Sequence, residues 1–285
     1  MRFKKIYVEI TNKCNKKCKF CSNSNLPKKE VSLKDFEIVL NKIKPYTDYL
    51  YLHVKGEPFF HSKIKEILDL CQKYNYYINI TTNGSLLLEN VSAIINNPKI
   101  RQINISLNSI VSMKELQNIM ESVKIINSKT NISIVYRFWA LENNILSDFN
   151  KKILKEILLF HDSKNRIEDF TNNDNVCIMN NVYVNKGFLF DWPNLNDEII
   201  SEKGTCYGTK SQLGILVDGT VVPCCLDGEG IINLGNIYNE ELKDIINSDR
   251  FIKINKGFND NKLIEELCKR CNYRLKCIKK YQKSK

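Results

Sequence analysis

Apolar and polar positions alternate along the first 160 residues in two different rhythms. Short β-rich apolar runs predict strands at 6–11, 49–54, 77–82, 102–107 and 132–138. Between them the spacing changes to that of a helix. Ser32-Leu33-Lys34-Asp35 is an N-cap signal, after which Leu33, Phe36, Val39, Leu40 and Ile43 fall on one face. Ile64, Ile67, Leu68 and Cys71 repeat the pattern, which makes Cys71 a core residue. Further helices are predicted at 113–126, capped by Ser112 with Glu115, and at 153–160. Five β/α units up to about residue 160, each with a right-handed crossover, predict a parallel sheet closing toward a barrel with helices outside it.

The rhythm breaks after Ser163. Asn172-Asn173-Asp174-Asn175 and Asp191-Trp192-Pro193-Asn194 are loop chemistry, and Gly and Cys replace the helical period from Cys206 onward. Residues 213–217, Asp218-Gly219 and 220–223 read as a hairpin. A boundary is expected near 190–205, giving a larger domain over 1–195 and a smaller one over 196–285.

Of the 285 residues, 43% are hydrophobic and 26% charged, which excludes disorder and a coiled coil. No apolar run approaches the ~18 residues of a membrane span, and Met1-Arg2-Phe3-Lys4-Lys5 leads into a strand rather than a signal-peptide core. A cytoplasmic location without membrane attachment follows as an expectation. The anomaly is eleven cysteines, an odd number in tight groups, which points to metal ligands in a reducing compartment rather than disulfides. Net charge is +11, and eight Lys or Arg without an acid lie between 269 and 285. That stretch reads as a solvated basic tail, a poor footprint for nucleic acid.

Cys14, Cys18 and Cys21 form a CxxxCxxC run after the first strand. Three thiolates at this spacing can hold three corners of a [4Fe-4S] cluster and leave one iron open; a zinc site with a fourth ligand from elsewhere is the alternative. Polar residues gather at the carboxyl ends of the predicted strands: Gly56-Glu57-Pro58, Thr81-Thr82-Asn83-Gly84, Ser106-Leu107-Asn108 and Arg137. Sites in parallel α/β folds collect there, although taken singly the glycine and asparagine pairs also suit ordinary turns. Arg137 on an apolar strand needs an anionic partner. His53 and His61 flank the Gly56-Glu57-Pro58 loop, and His161 follows a helix as a C-terminal cap.

The CxxxCxxC run, with Phe20 before its last cysteine, resembles the signature of the radical S-adenosylmethionine (SAM) superfamily, and the ordered strand ends agree with it. The resemblance implies a partial (β/α)6 TIM-type barrel. It further implies that Cys14, Cys18 and Cys21 bind the cluster that SAM chelates, while Phe20, Gly56, Glu57, Pro58, Thr82, Asn83, Ser106, Asn108 and Arg137 contribute to the SAM site. The implied chemistry is reduction of SAM by an external flavodoxin- or ferredoxin-type donor, giving a 5′-deoxyadenosyl radical that takes hydrogen from a substrate.

Cys206, Cys224, Cys225, Cys268, Cys271 and Cys277 form a second group, for which a zinc ribbon is again the alternative. Its spacing, with Leu234-Gly235-Asn236-Ile237, resembles the SPASM and twitch extensions of radical SAM enzymes. Tyr281 stands where the full SPASM pattern carries a further cysteine. The resemblance therefore implies one auxiliary [4Fe-4S] cluster on Cys206, Cys224, Cys268 and Cys271, with Cys277 or Cys225 as substitutes. Cys225 is otherwise either a packed thiol or a hydrogen donor to a substrate radical, and Cys177 carries no inference. The extension favours a peptide or protein substrate, with small-molecule dehydrogenation next. No peptide-recognition segment precedes Cys14, which weakens the peptide reading without removing it. A zinc-stabilised nucleic-acid-binding protein is the competing reading from another class.

Overall fold

The computed structural model describes residues 1–22, 25–141, 145–188 and 190–274. Among these the strands are β1 (Lys5–Val8), β2 (Tyr49–Tyr51), β3 (Tyr77–Thr82), β4 (Ile100–Ser106), β5 (Ser133–Leu141), β6 (Asn175–Met179), β7 (Val182–Phe188), β8 (Gln212–Ile215) and β9 (Val221–Val222). The helices are α1 (Leu33–Ile43), α2 (Ile64–Lys73), α3 (Leu87–Ile95), α4 (Met113–Lys129), α5 (Asp148–Phe160), α6 (Asp169–Asn172), α7 (Leu242–Ile246), α8 (Asp249–Asn259) and α9 (Glu266–Lys269). They form two compact units. The first holds Met1–Gly56, His61–Lys63 and the described residues from Phe190 onward; the second holds Glu57–Phe60 and the described residues from 64 to 188.

In the second unit β3, β4, β5 and β7 run parallel in that order, and β6 pairs antiparallel with β7 at the edge. Because side chains alternate across a strand, the register separates two faces. Ile80, Ile103, Ile105, Ile134 and Tyr136 lie on one, all fully buried. Asn79, Thr81, Gln102, Asn104, Ser106 and Arg137 lie on the other. The helices begin where their caps dictate: Ser112 Oγ accepts Glu115 N–H at α4, and Ser147 Oγ accepts Asn150 N–H at 3.2 Å at α5. The Ser147 cap starts α5 five residues before the apolar period becomes visible.

Two elements depart from the sequence pattern. Helix α3 follows Gly84, whose φ of +80 turns the chain out of β3, and it has no side-chain cap, so no N-terminal signal marks it. The β6–β7 hairpin, for which the sequence pattern gave no strand, begins at Asn175, the last residue of the asparagine-rich stretch expected to be loop. Met179 pairs with Val182 across Asn180-Asn181, and Asn181 takes φ +59, a conformation asparagine tolerates. The parallel strand that follows β5 in the sheet is therefore β7.

In the first unit β2, β1 and β8 are parallel neighbours in that order, and β9 closes an antiparallel hairpin on β8. Ile6 pairs with both Leu50 and Leu213, so the cysteine-rich C-terminal segment is hydrogen-bonded directly onto the first strand of the chain. Phe36, Leu40, Ile43, Leu50, Leu213 and Val222 are fully buried in this unit, each worth about 1.5–3 kcal/mol on removal from water. Ser32 Oγ accepts Asp35 N–H at 3.0 Å to start α1. No helix among the described residues is long and apolar enough to cross a membrane.

Candidate iron–sulfur and cofactor sites

In the first unit the chain leaves β1 through Glu9 to Lys13 and returns at Pro27 to Val31, and hydrogen bonds clamp the two together. Asn12, nearly fully buried, donates from Nδ2 to Pro27 O at 2.9 Å and accepts Lys29 N–H on Oδ1 at 2.7 Å. Thr11 Oγ1 donates to Lys29 O at 3.0 Å, and Val31 N–H donates to Ile10 O at 2.9 Å. This base holds the loop carrying Cys14, Cys18 and Cys21, of which Cys14 is exposed and the others partly buried. Cys21 N–H donates to Cys18 O at 3.1 Å, and Phe20 is half-buried. Burial pushes the Cys21 thiol up, while the nearby Lys55 and Lys28 ammonium groups oppose that shift.

Gly56 adopts φ +75, and a Cβ there would stand 2.2 Å from Thr11 O and 2.9 Å from Lys13 O. Glycine at this position lets the chain after β2 lie against the base of the cysteine loop. Beside it Lys55 is buried; its Nζ pairs with Glu229 Oε1 at 2.5 Å and lies 5.4 Å from the Trp192 ring. Glu229 Oε2 accepts the backbone N–H of Asn25 at 3.2 Å, so one carboxylate joins Lys55 to the end of the cysteine loop. His61 makes a turn contact, with Nε2 at 3.1 Å from Val31 O and Nδ1 accepting Lys63 N–H.

In the second unit Glu57 is buried and its carboxylate gathers the next strand end. Oε1 accepts Thr82 Oγ1–H at 2.8 Å and Phe59 N–H at 3.1 Å, and Oε2 accepts Asn83 N–H at 2.7 Å. Pro58, also buried, opens a single 3-10 turn. Asn83 Oδ1 accepts Ser85 N–H at 2.9 Å, and Ser109 Oγ donates to Ser106 O at 2.7 Å. Ser106 pairs in register with Arg137, and Asn108 lies in the turn that follows β4. Thr82, Asn83, Ser106 and Asn108 therefore lie at the carboxyl ends of β3 and β4, with Arg137 on β5 in register beside Ser106, all within this unit. His161 caps α5 as expected and also contacts Tyr136 OH at 2.9 Å; burial lowers it to about 4, with Lys124 acting in the same direction.

The later cysteines meet in the first unit. Cys206, Cys224, Cys225, Cys268 and Cys271 line one cavity of about 360 Å³. Cys277 lies outside the described residues. Cys224 comes from the chain after β9, Cys268 from α9 and Cys271 from the turn after it; Asp227 shapes the loop after Cys225 by accepting the N–H groups of Ile231 at 2.9 Å and Ile232 at 2.7 Å. Burial raises the Cys224 thiol well above its usual value, and Cys206, Cys225, Cys268 and Cys271 reinforce the shift. Among the described residues no three His, Cys, Asp or Glu side chains converge tightly enough for a single metal ion. The donor set suits a larger group: four soft ligands face a space many times the ~30 Å³ share of one water, and a cationic iron core holds coordinating thiols deprotonated.

Three features of this cavity were invisible in the strand and loop patterns. Lys5 and Tyr7 line it, and Lys5 Nζ donates to Tyr7 OH at 2.8 Å. Cys225 packs beside Tyr7, and burial, then Cys225, raise the Tyr7 pKa. Lys5 and Tyr7 are two apart on β1 and so share a face, the one signal that could have found them. Arg274, assigned to a solvated basic tail by composition, is instead only 2% exposed and lines the cavity. The short turn Asn272–Arg274 carries it inward, which charge counting does not detect.

Comparison with known proteins finds two family matches along the chain. Residues 8–133 match the Radical SAM superfamily, and residues 206–272 match SPASM, an iron–sulfur cluster-binding domain. The S-adenosyl-L-methionine-dependent 2-deoxy-scyllo-inosamine dehydrogenase of Niallia circulans is 21% identical over 278 residues, covering 95% of this chain and 93% of its own. Among solved structures, BtrN in complex with AdoMet and 2-DOIA is 18% identical with a TM-score of 0.56, covering 95% of this chain and 94% of its own. Streptococcus suis SuiB bound to precursor peptide SuiA is 16% identical with a TM-score of 0.62, covering 89% of this chain and 66% of its own. The chain belongs to the radical SAM superfamily: it is an enzyme of mixed α/β fold whose cofactors are a SAM-binding [4Fe-4S] cluster and SAM, with auxiliary iron–sulfur binding in a C-terminal SPASM domain.

Proposed function

We propose that this enzyme oxidises a small polar molecule by withdrawing hydrogen from a carbon that bears a hydroxyl or amino group. The observation that carries this reading is the meeting of Cys206, Cys224, Cys268 and Cys271 at one cavity, separate in sequence from the Cys14, Cys18 and Cys21 loop. When bound, the group on the first three thiols with SAM supplies a 5′-deoxyadenosyl radical, and the group on the later four supplies a one-electron acceptor.

The chain's own residues orient and select. Gly56 and Glu57 shape the two loops beside the cofactor, and Ser106, Asn108 and Arg137 hold its polar groups. The face of β3 and β4 that carries Asn79, Thr81, Gln102 and Asn104 presents amides and hydroxyls, which suits a hydrophilic substrate; Gln102 Nε2 donates to Asn104 Oδ1 at 2.8 Å. The end-to-end likeness to a dehydrogenase supports the same class. An external donor of flavodoxin or ferredoxin type supplies the first electron, and a core domain over 1–195 with an auxiliary iron–sulfur domain over 196–285 is part of this proposal.

Peptide modification is the second reading, favoured by the likeness to SuiB bound to its precursor peptide. In that reading Cys225, partly buried and packed beside Tyr7, is a candidate hydrogen donor. Anaerobic incubation with dithionite, SAM and carbon-deuterated amino-polyols separates the two. Deuterium in 5′-deoxyadenosine together with loss of two hydrogens from the polyol supports oxidation of a small molecule. Transfer only from a peptide encoded beside the gene would replace it with the second reading.

A further inference from the structure

Arg274 is an arginine buried with no counter-charge among the described residues. Its Nε donates to Cys268 O and its Nη1 to Lys203 O, each at 3.3 Å, while Nη2 is buried with no partner among the described residues. No carboxylate among the described residues pairs with it. Two acids that act on Cys268 are committed elsewhere: Asp227 to the N–H groups of Ile231 and Ile232, and Glu265 to Arg250 through bonds of 2.8 Å from both Nε and Nη2. The backbone is built around the guanidinium. Gly204 takes φ +153, and a Cβ there would stand 2.7 Å from Arg274 Nη1.

A buried guanidinium is costly unless an anion faces it. Arg274 lines the cavity of Cys206, Cys224, Cys268 and Cys271, and an iron–sulfur group on four thiolates is an anion that gains one further negative charge on reduction. We infer that Arg274 is the counter-charge of the auxiliary iron–sulfur group, with Nη2 donating to one of its sulfur atoms, and that it raises the reduction potential of that group so that it accepts an electron. A fixed positive charge stabilises the reduced state more than the oxidised one, and a hydrogen bond to sulfur acts in the same direction. The inference rests on the reading of the four thiols as iron–sulfur ligands and adds that this site is tuned for oxidation.

The test is a redox titration of the anaerobically purified full-length enzyme followed by electron paramagnetic resonance. Adding SAM identifies the Cys14, Cys18 and Cys21 signal by its change, leaving the SAM-insensitive signal as the auxiliary one. Arg274→Met is expected to lower the auxiliary midpoint by at least tenfold in the electron-transfer equilibrium, about 59 mV for one electron. Arg274→Lys, which keeps the charge and loses the fork, is expected to fall between the two. An unchanged midpoint in Arg274→Met overturns the inference and leaves the cluster assignment standing. Absence of a SAM-insensitive iron–sulfur signal in the unaltered enzyme overturns both. If Arg274→Met does not retain iron, Arg274→Lys decides alone: a midpoint below that of the unaltered enzyme supports the inference, and an equal one overturns it.

Discussion

The carboxylate of Glu57 holds the backbone N–H of Asn83 at 2.7 Å, and the same group takes the Thr82 hydroxyl at 2.8 Å. An acid in the loop after one strand thus positions the residues that end the next. Glu57→Gln keeps the shape but replaces one acceptor with a donor and removes the charge that strengthens these bonds. Loss of about 2 kcal/mol of stability is expected, read by urea unfolding. SAM affinity, read by equilibrium dialysis, is expected to fall roughly tenfold. Wild-type values for both would show that Thr82 and Asn83 do not depend on Glu57.

Gly56 is a steric requirement. A methyl group would overlap the carbonyl oxygens of Thr11 and Lys13, backbone atoms that cannot rotate away, at φ +75. Gly56→Ala is expected to displace the cysteine loop and lower iron from about eight to about four per chain after anaerobic reconstitution. Full iron content in the variant would contradict the close packing.

Glu9 links acidity to stability. Burial raises its carboxyl to about 7, against the N–H groups of Lys55 and Val217 that favour the ionised form. Because the folded pKa lies above the unfolded one, the folded state holds the extra proton between pH 4.5 and 7. This contribution is present below that window and is lost as pH rises through it, by about 3 kcal/mol. Comparison of unfolding free energies at pH 5 and 8, in the parent and in Glu9→Gln, isolates it; an identical pH slope in both proteins would remove Glu9 as its source.

Lys55 and Glu229 are unequal partners, since the lysine side chain is 4% exposed and the glutamate 27%. Glu229→Gln strands a buried ammonium and is expected to cost about 2–3 kcal/mol, reduced from the fully buried case by the glutamate's exposure. Lys55→Met leaves a carboxylate that water can reach and costs less. A double-mutant cycle measures the coupling; equal costs for the two single changes would contradict the asymmetry.

Much of this architecture was readable from residue patterns. Ser32 and Ser112 marked helix starts, the alternating apolar runs located β3 and β4, and the cysteine spacings identified both groups of thiols. What escaped was set by tertiary context. Helix α3 lacks a cap, and Asn180-Asn181 turns a hairpin for which the sequence pattern gave no strand. Arg274 is buried by a turn of three residues in a basic segment, and Lys5 and Tyr7 gain meaning only once β8 brings Cys225 beside them. The preference between substrate classes also changes weight, because the polar face of β3 and β4 becomes visible only through strand register.

Reductive cleavage of SAM is the reaction proposed for the Cys14, Cys18 and Cys21 site. Reconstituted enzyme, free of oxygen and supplied with dithionite and SAM, is predicted to form 5′-deoxyadenosine, and the Cys18→Ala variant to form none. Iron-replete enzyme that leaves SAM intact, or a Cys18→Ala variant that cleaves it at the parent rate, would contradict the account.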